Sequence, residues 1–368
     1  MKISIPQMRP DFGDEEKQEL MGYMSNDVFL TEFKKTLELE EAIASFINVK
    51  HVILVNNGTI SLTIIAYALG IKPGDEVIVP NYTMIATPNS IKLLGATPVF
   101  VDVDPDTLVM DYECLERAIT SKTKAIIIVL ANGREPKNGI QKFVDLASRH
   151  GLALIEDAAQ ALGSYYSSGK HIGLSGAAGS FSLSAPKIIS TGQGGFIVTN
   201  DDRLAVKIRK IKDFGRSAGG NDVHDEIGFN FKFTDLQACI GLAQLKKLQA
   251  RLVRKKQIVG RYKSNLSGLK GIHLFEHDLS LCAPWFVDAR VCNRSELIDY
   301  LGKKGIGTRV MYPPINKQLA YGTPGDFPVS DEIGKSGLWL PSYITLEDSD
   351  IDYVCNEIKN FCDQRFKN

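Results

Sequence analysis

Seven short apolar runs, separated by amphipathic stretches, are the feature that most limits the folds this chain can adopt. The runs span 51–55, 76–79, 98–103, 124–130, 152–155, 180–183 and 196–198. They are rich in Val and Ile and rarely alternate with polar residues, which is typical of strands buried on both faces of a parallel or mixed sheet. Helical patterns lie between several of them, over 59–69, 112–119 and 138–150. Strands that alternate with helices predict an α/β fold.

The pattern changes after about residue 234. Apolar residues then recur at helical spacing and predict one long helix, which shorter strand and helix patterns follow. The stripe consists of Leu242, Leu245, Leu248, Leu252 and Val259. A chain of 368 residues is also longer than one hydrophobic core usually organises. We therefore expect a large domain over 1–245 and a smaller C-terminal domain over 246–368.

The same predicted helix has a basic face. It carries Lys246, Lys247, Arg251, Arg254, Lys255 and Lys256. A face of this kind could contact nucleic acid or an anionic substrate. However, no aromatic residues are interleaved, and the 43 basic residues of the chain are balanced by 43 acidic ones. We expect these side chains to be solvated, and we expect no nucleic-acid partner.

The cysteines and the apolar segments exclude other classes of protein. The six cysteines include no CxxC pair, and no His lies at zinc-finger spacing from them, which predicts reduced thiols in a cytoplasmic protein and no metal site. The N-terminal residues do not resemble a signal peptide. The longest apolar run, 125–131, is too short to cross a bilayer, so we expect no membrane partner.

The segment Asn57-Gly58-Thr59-Ile60-Ser61 directly follows the first apolar run and opens a helical pattern. Free backbone N–H groups and the positive end of a helix dipole point outward at such a place, so an anion such as a phosphate can bind there. The alternative is an ordinary helix start with a capping Thr. No motif supports NAD or ATP, because 173–179 is not GxGxxG and the chain has no GxxxxGK[ST].

Two acids, Glu156 and Asp157, follow the apolar run at 152–155. Side chains at the carboxyl end of a strand enter the ligand crevice of an α/β sheet. Asp157 could bind a metal, act as a general base, or pair with a cationic ring nitrogen. The alternative is that Asp157 caps a helix that begins at Ala158.

Lys187 stands between Pro186 and the apolar pair Ile188-Ile189, just before the glycine turn 192–195. A lysine in such a setting is expected to be partly desolvated. Burial disfavours the ammonium form, lowers the pKa and makes the amine a nucleophile toward carbonyl groups. A purely structural lysine is the alternative.

These three features together are what pyridoxal phosphate (PLP) requires. A helix start anchors the phosphate, a carboxylate keeps the pyridine nitrogen protonated, and a lysine binds the aldehyde. The combination therefore predicts PLP as the cofactor.

At this point the sequence resembles the DegT/DnrJ/EryC1/StrS group of sugar aminotransferases, which have the fold-type I architecture. The resemblance runs along nearly the whole chain. The matching segments are Phe29-Leu30-Thr31, Asn56 to Thr59, Gly74 to Pro80, Gly95 to Asp102, Ile155 to Gln160, Gly179 to Ser182 with Lys187, and Gly228-Phe229-Asn230. The resemblance implies a mixed, mostly parallel sheet with flanking helices and a smaller C-terminal α+β domain.

The resemblance also implies roles for individual residues. Lys187 is similar to the catalytic lysine that binds the cofactor covalently, and Asp157 to the partner of the pyridine nitrogen. Gln160 corresponds to the residue beside the ring hydroxyl. Gly58, Thr59 and Ser182 correspond to phosphate ligands. Asn230 matches an asparagine that reaches the cofactor of the neighbouring subunit, which implies a homodimer with shared active sites.

Four departures from the family pattern are visible in the sequence. Met84 stands where an aromatic residue usually stacks on the cofactor ring, and a thioether can still pack there. Lys232 replaces a frequent arginine. Asn316 and the segment 132–134 differ from the family in stretches that we expect to face the substrate.

The implied reaction is transfer of an amino group from L-glutamate to a nucleotide-linked 4-keto-6-deoxyhexose for polysaccharide or glycan assembly. An alternative is the same reaction on a small phosphorylated ketone or another keto sugar. Lys187 argues against a sugar dehydratase, in which histidine replaces that lysine. A regulator without activity is less favoured, because Lys187, Asp157 and Ser182 are all present.

Overall fold

The computed structural model of the chain describes residues 3–26, 29–217 and 222–366. Within them, a seven-stranded sheet forms the centre of the larger part of the protein. Its strands are β1 (His51–Val55), β2 (Glu76–Pro80), β3 (Thr97–Val101), β4 (Thr123–Val129), β5 (Ala153–Asp157), β6 (Ala178–Ser182) and β7 (Gly195–Thr199). Their spatial order is β1-β7-β6-β5-β4-β2-β3. Strand β7 is antiparallel to both of its neighbours, and the other adjacent pairs are parallel.

Helices cover both faces of this sheet, as the unbroken apolar runs predict. They are α1 (Asp14–Met24), α2 (Lys34–Ile47), α3 (Gly58–Ala68), α4 (Ala86–Lys92), α5 (Tyr112–Ala118), α6 (Ile140–Arg149), α7 (Asp202–Lys212) and α8 (Asp235–Lys246). Successive side chains of a strand point to opposite faces. In β1, Val52 and Leu54 therefore belong to one core with α2 and α6, whereas Ile53 and Val55 belong to a second core with α3 and α7.

The C-terminal part has its own antiparallel sheet and core. Its elements are α9 (Leu248–Leu266), β8 (Ile272–Leu274), β9 (Val287–Val291), α10 (Arg294–Lys303), β10 (Arg309–Val310), α11 (Pro328–Ser336), β11 (Gly337–Leu340) and α12 (Asp348–Phe366). The strands pair in the order β10-β11-β9-β8. Helices α9, α10 and α12 pack against one face of this sheet and form a separate hydrophobic core. No helix in the described part of the chain is long and apolar enough to cross a membrane.

The single long helix expected after residue 234 is two helices. Helix α8 ends at Lys246, and α9 begins at Leu248. Leu248 and Leu252 pack into the core of the larger part, whereas Ile258 and Val259 pack into the C-terminal core. Helix α9 thus spans both cores, and the division at residue 245 stays a prediction.

The expectation of a solvated basic face is wrong for two of its residues. Arg251 and Lys255 are buried, and Arg251 forms an ion pair of 2.7 Å with Asp11. The more exposed cations also have partners in the chain, since Lys246 contacts Glu19 and Arg254 contacts Asp348. These side chains therefore join the N-terminal segment and the C-terminal part to helices α8 and α9.

Candidate active site

A cavity of about 260 Å³ lies at the carboxyl ends of β4, β5 and β6, beside the start of α3. This is the edge of an α/β sheet where ligands bind. The structure brings seven of the eight predicted cofactor-binding residues to its wall. These are Gly58, Thr59, Met84, Asp157, Gln160, Ser182 and Lys187. Asn230 does not line it.

The start of α3 forms one end of the cavity. The helix is capped by Asn57, whose side-chain oxygen accepts a hydrogen bond of 2.9 Å from the N–H of Ile60. The capping residue is therefore Asn57 and not Thr59. The first N–H groups of a helix have no intrahelical acceptor, so those of Gly58 and Thr59 are available to an anion at the positive end of the helix dipole.

Gly58 is a place where a side chain would crowd its neighbour. A Cβ atom at this position would lie 3.0 Å from Cβ of Ser182, at the end of β6. The glycine therefore lets the start of α3 approach the end of β6 closely. The hydroxyl of Ser182 donates a hydrogen bond of 3.0 Å to the hydroxyl of Ser184, which also lines the cavity. Backbone N–H groups and hydroxyls thus converge in a cradle that suits a phosphate.

Asp157 is buried at the end of β5, and the turn that follows it is not helical. It is therefore not a helix cap. Its Oδ2 accepts a hydrogen bond of 2.7 Å from Thr87 Oγ1, and its Oδ1 accepts one from the N–H of Ala159. Burial raises the pKa of the Asp157 carboxyl, although these bonds and the charge of Lys187 act in the opposite direction. A nearby cation would stabilise the carboxylate further.

Lys187 lies in the environment expected from its sequence neighbours. It is half-buried, and desolvation lowers the pKa of its amine to about 8, despite the opposing charge of Asp157. Its Nζ lies 4.1 Å from the centroid of the Trp285 ring. A larger fraction of this amine is neutral at neutral pH than of an ordinary lysine, and the neutral form is the nucleophile.

Gln160 and Met84 occupy other parts of the wall. The Oε1 of Gln160 accepts a hydrogen bond of 2.8 Å from the backbone N–H of Asn132, which orients the side chain. Met84 is 47% exposed and lines the cavity, and its Sδ accepts a hydrogen bond of 3.2 Å from the N–H of Ala86.

Asn230 is exposed and lies in a segment, 227–233, whose residues have different environments. Ile227 and Phe229 are largely exposed, whereas Phe233 is buried in the core of the larger part. Lys232 has a partner in its own chain, because its Nζ donates a hydrogen bond of 2.6 Å to Asp213. Phe233 is therefore not available to a second subunit, whereas the place of Asn230 in a partner's active site stays a prediction.

The two stretches that we expected to face the substrate are buried between the two parts of the chain. Asn132 exchanges two hydrogen bonds of 2.8 Å with the backbone of Phe286, and Arg134 forms an ion pair of 2.7 Å with Asp288. Asn316 is buried and accepts a hydrogen bond of 2.9 Å from Asn81. These residues hold the structure together around the cavity rather than line it.

Sequence reasoning missed several residues of the site. Thr87, Trp285 and Gln193 contact predicted residues or line the cavity. Gln193 lies in the glycine turn 192–195, whereas the residues next to Thr87 and Trp285 in the sequence indicate no role in the site. Each reaches the site through a contact between distant segments.

Comparison with known proteins identifies the family. The DegT/DnrJ/EryC1/StrS aminotransferase family matches residues 10–359. The GDP-perosamine synthase of Escherichia coli O157:H7 is 35% identical over 361 residues, covering 97% of this chain and 98% of that protein. This chain belongs to the DegT/DnrJ/EryC1/StrS aminotransferase family. It is an aminotransferase, and its cofactor is PLP.

Two further relatives show the range of the family. The UDP-2-acetamido-2-deoxy-3-oxo-D-glucuronate aminotransferase of Pseudomonas aeruginosa is 35% identical over 327 residues, covering 88% of this chain and 89% of that protein. The PLP form of Spr1654 from Streptococcus pneumoniae superimposes with a TM-score of 0.91 at 28% identity, covering 98% of this chain and 99% of that one. The likeness extends over nearly the whole of both chains. It agrees with the predicted fold-type I architecture.

The residues of the cavity in this aminotransferase fit PLP. The cradle at Gly58 and Ser182 suits a phosphate, since the backbone N–H groups at the start of α3 and the hydroxyls of Ser182 and Ser184 converge there. Asp157 is a buried carboxylate with no ion pair among the described residues, and a protonated pyridine nitrogen would supply the positive charge. Lys187 supplies an amine of lowered pKa on the same wall.

Proposed function

We propose that this protein transfers an amino group from L-glutamate to a nucleotide-linked 4-keto-6-deoxyhexose in polysaccharide or glycan assembly. The observation that carries the proposal is the meeting of Lys187, Asp157 and the start of α3 around one cavity. The relative that synthesises GDP-perosamine supports a nucleotide-linked sugar as the acceptor.

Each residue of the cavity has a role in this proposal. Gly58, Thr59 and Ser182 bind the phosphate of PLP, and Asp157 holds the proton of the ring nitrogen. Gln160 lies beside the ring hydroxyl, and Met84 packs against the ring. Bound PLP supplies an aldehyde that accepts the amino group and a ring that withdraws electrons.

Lys187 has two tasks in the proposed reaction. It binds the cofactor covalently at rest, and its free amine moves a proton to and from the reacting carbon during turnover. General acid and base catalysis is most effective when the pKa is close to the working pH. The lowering of the Lys187 pKa to about 8 by burial supports this second task.

The proposal includes a homodimer in which Asn230 enters the site of the partner. An apolar groove of about 350 Å³ supports it, because Phe229 and Phe231 line this groove together with residues of α3. The same helix begins at the phosphate cradle. A second subunit that covers the groove would therefore lie close to the cavity.

A second candidate is transamination of a different keto sugar, and the Pseudomonas aeruginosa relative, which acts on a 3-oxo sugar acid, favours it. The test is to incubate the PLP-loaded protein with L-glutamate and one acceptor at a time, and to measure 2-oxoglutarate. The acceptors are GDP- and TDP-linked 4-keto-6-deoxyhexoses, a UDP-linked 3-oxo sugar and a phosphorylated ketone.

Turnover of the 4-keto-6-deoxyhexoses at least about tenfold above the other acceptors supports the leading proposal. Preference for the 3-oxo sugar supports the second candidate, and preference for the phosphorylated ketone overturns both. The Lys187→Ala protein serves as the control for uncatalysed exchange.

A further inference from the structure

Trp285 is the residue of the C-terminal part that lies against the amine of Lys187. The two residues are 98 positions apart in the sequence. Trp285 stands just before β9 and is 3% exposed. Its ring centroid is 4.1 Å from Lys187 Nζ, which is close enough for a cation–π interaction with the ammonium form.

The indole also contacts the backbone that carries the lysine. Nε1 of Trp285 donates a hydrogen bond of 2.7 Å to the carbonyl oxygen of Pro186, the residue directly before Lys187. The same side chain therefore contacts both the backbone at the base of Lys187 and the amine at its tip.

Trp285 is itself held firmly. Its ring stacks on Phe286 with a centroid distance of 3.9 Å and meets the edge of Trp339 at 5.8 Å. Its carbonyl oxygen accepts a hydrogen bond of 2.6 Å from Lys255 Nζ, which also donates to the carbonyl of Ser342. Lys255 is buried and has no carboxylate partner among the described residues, so its contacts are directed at backbone carbonyls.

We propose that Trp285 is a positioning residue for Lys187, whose indole face holds the amine while its N–H holds the backbone before it. The inference depends on the proposed role of Lys187 in the reaction. An amine that is released from the cofactor must stay near the reacting carbon, and an aromatic face that attracts its protonated form keeps it there. Lys255 supports this arrangement through the Trp285 carbonyl.

Other charged groups also shift the pKa of Lys187, so a test of Trp285 must leave them unchanged. Asp157 on β5 raises the pKa of Lys187, and Arg309 on β10 lowers it, whereas burial lowers it most strongly. Burial raises the pKa of the Tyr312 hydroxyl, and the charges of Arg309 and Asp157 also act on it. A change that leaves the shape of Trp285 intact leaves these groups in place.

Fluorinated tryptophan meets that requirement. Fluorine withdraws electrons from the ring face and weakens a cation–π contact, while the size of the side chain is almost unchanged. The chain has only two tryptophans, so the label can be confined to position 285 in a Trp339→Phe background. Because Arg309 lies over the ring of Trp339, the labelled proteins are compared only with the unfluorinated protein of the same background. The full chain is prepared without PLP, and acetylation of Lys187 is followed by mass spectrometry across pH.

We expect the pH midpoint of Lys187 acetylation to fall stepwise as the Trp285 ring carries one to four fluorines, by about one pH unit in total. The direction follows because a weaker contact stabilises the protonated amine less. Lys122, which is exposed, serves as the internal control and should label with an unchanged midpoint. An unchanged Lys187 midpoint across the series overturns the inference.

Trp285→Phe tests the hydrogen bond to Pro186. This variant keeps an aromatic face and loses the N–H, so we expect kcat to fall about tenfold with KM unchanged. A rise in KM with normal kcat overturns the positioning role. The labelling experiment needs no turnover, so its result stands whether or not the sugar proposed above is a substrate.

Discussion

Thr87 Oγ1 donates a hydrogen bond of 2.7 Å to Asp157 Oδ2, although the two residues are 70 positions apart. Thr87 lies in the first turn of α4, and Asp157 ends β5. The bond fixes the orientation of a buried carboxylate and favours its charged form. The carboxylate that we assign to the cofactor nitrogen is thus oriented by a helix from a distant part of the chain.

Replacing Thr87 by valine removes this donor while keeping the shape of the side chain. We expect the pKa of Asp157 to rise further and the transamination rate to fall by about tenfold, since hydrogen bonds to charged groups are among the stronger ones. Steady-state kinetics of the PLP-loaded protein measures the effect. Thr123→Val, at a buried threonine remote from the cavity, should retain the full rate. Equal losses in both variants would point to a general effect of buried threonines.

Asp157→Asn removes the charge and nearly keeps the shape. We expect a loss of rate of roughly 10² or more, because the ring nitrogen loses the partner that holds its proton. Circular dichroism should show an intact fold. Asp102→Asn, at another buried carboxylate, is the matched control. A well-folded Asp157→Asn protein with a normal rate would contradict the assignment.

Lys187→Ala should bind PLP non-covalently and lose transamination, because no other amine among the described residues lines the cavity. Borohydride treatment of the unmodified protein should attach the cofactor to Lys187, as peptide mapping would reveal. The exposed Lys122→Ala variant should behave as the unmodified protein. Finding the label on a different lysine would refute the role of Lys187.

Mixing two inactive chains tests the shared active site. If Asn230 serves the partner, a Lys187→Ala chain and an Asn230→Ala chain form heterodimers in which one site has both residues. Some activity should then return on mixing, provided that each single variant is nearly inactive. Subunit exchange is verified by mass spectrometry of the intact assembly. An active monomer in sedimentation, or no recovery despite exchange, would exclude the shared site.

The buried ion pair between Arg134 and Asp288 joins the two parts of the chain. Asp288→Asn leaves the Arg134 charge buried without its partner, so we expect a loss of about 3 kcal/mol or more in the free energy of unfolding. Urea denaturation measures it. Asp14→Asn removes half of an exposed ion pair and should have no measurable effect. Similar unfolding curves for both variants would contradict the prediction.

The same pair predicts a pH dependence. Burial alone would raise the pKa of Asp288, but the charge of Arg134 and the hydrogen bond with His277 lower it overall. A carboxyl with a lowered pKa in the folded state stabilises the fold fully above its unfolded pKa of about 3.9. This contribution is lost as the pH falls through the folded pKa. Unfolding of Asp288→Asn should therefore depend less on pH in the acid range than that of the unmodified protein.

Much of the sheet could be predicted from local sequence. The run at 51–55 matches β1, and each of the other apolar runs overlaps its strand within a few residues. Unbroken apolar runs report burial on both faces, which a strand between two helical layers requires. That pattern does not predict the spatial order of the strands, because nothing in the β2 run indicates that it pairs with both β3 and β4.

The candidate site also contains some residues that local sequence indicates and others that it does not. The residues next to Gly58, Asp157 and Lys187 in the sequence indicate their roles. Gly58 stands at a helix start, Asp157 at a strand end, and Lys187 among apolar residues. The expectations for Asn132, Arg251 and Lys255 are wrong, because the residues next to a polar side chain in the sequence do not indicate a buried partner. Asn132 donates a hydrogen bond to the carbonyl oxygen of Phe286, and Lys255 donates to those of Trp285 and Ser342.

Local sequence thus indicates the α/β class, the strand ends that carry polar side chains, and the lysine whose surroundings lower its pKa. These properties depend on residues within a few positions of one another. Only the tertiary structure decided that Thr87 orients Asp157 and that Trp285 covers Lys187. Such contacts join segments that lie 70 or more positions apart, and they form because the packing of two cores brings those segments to one cavity.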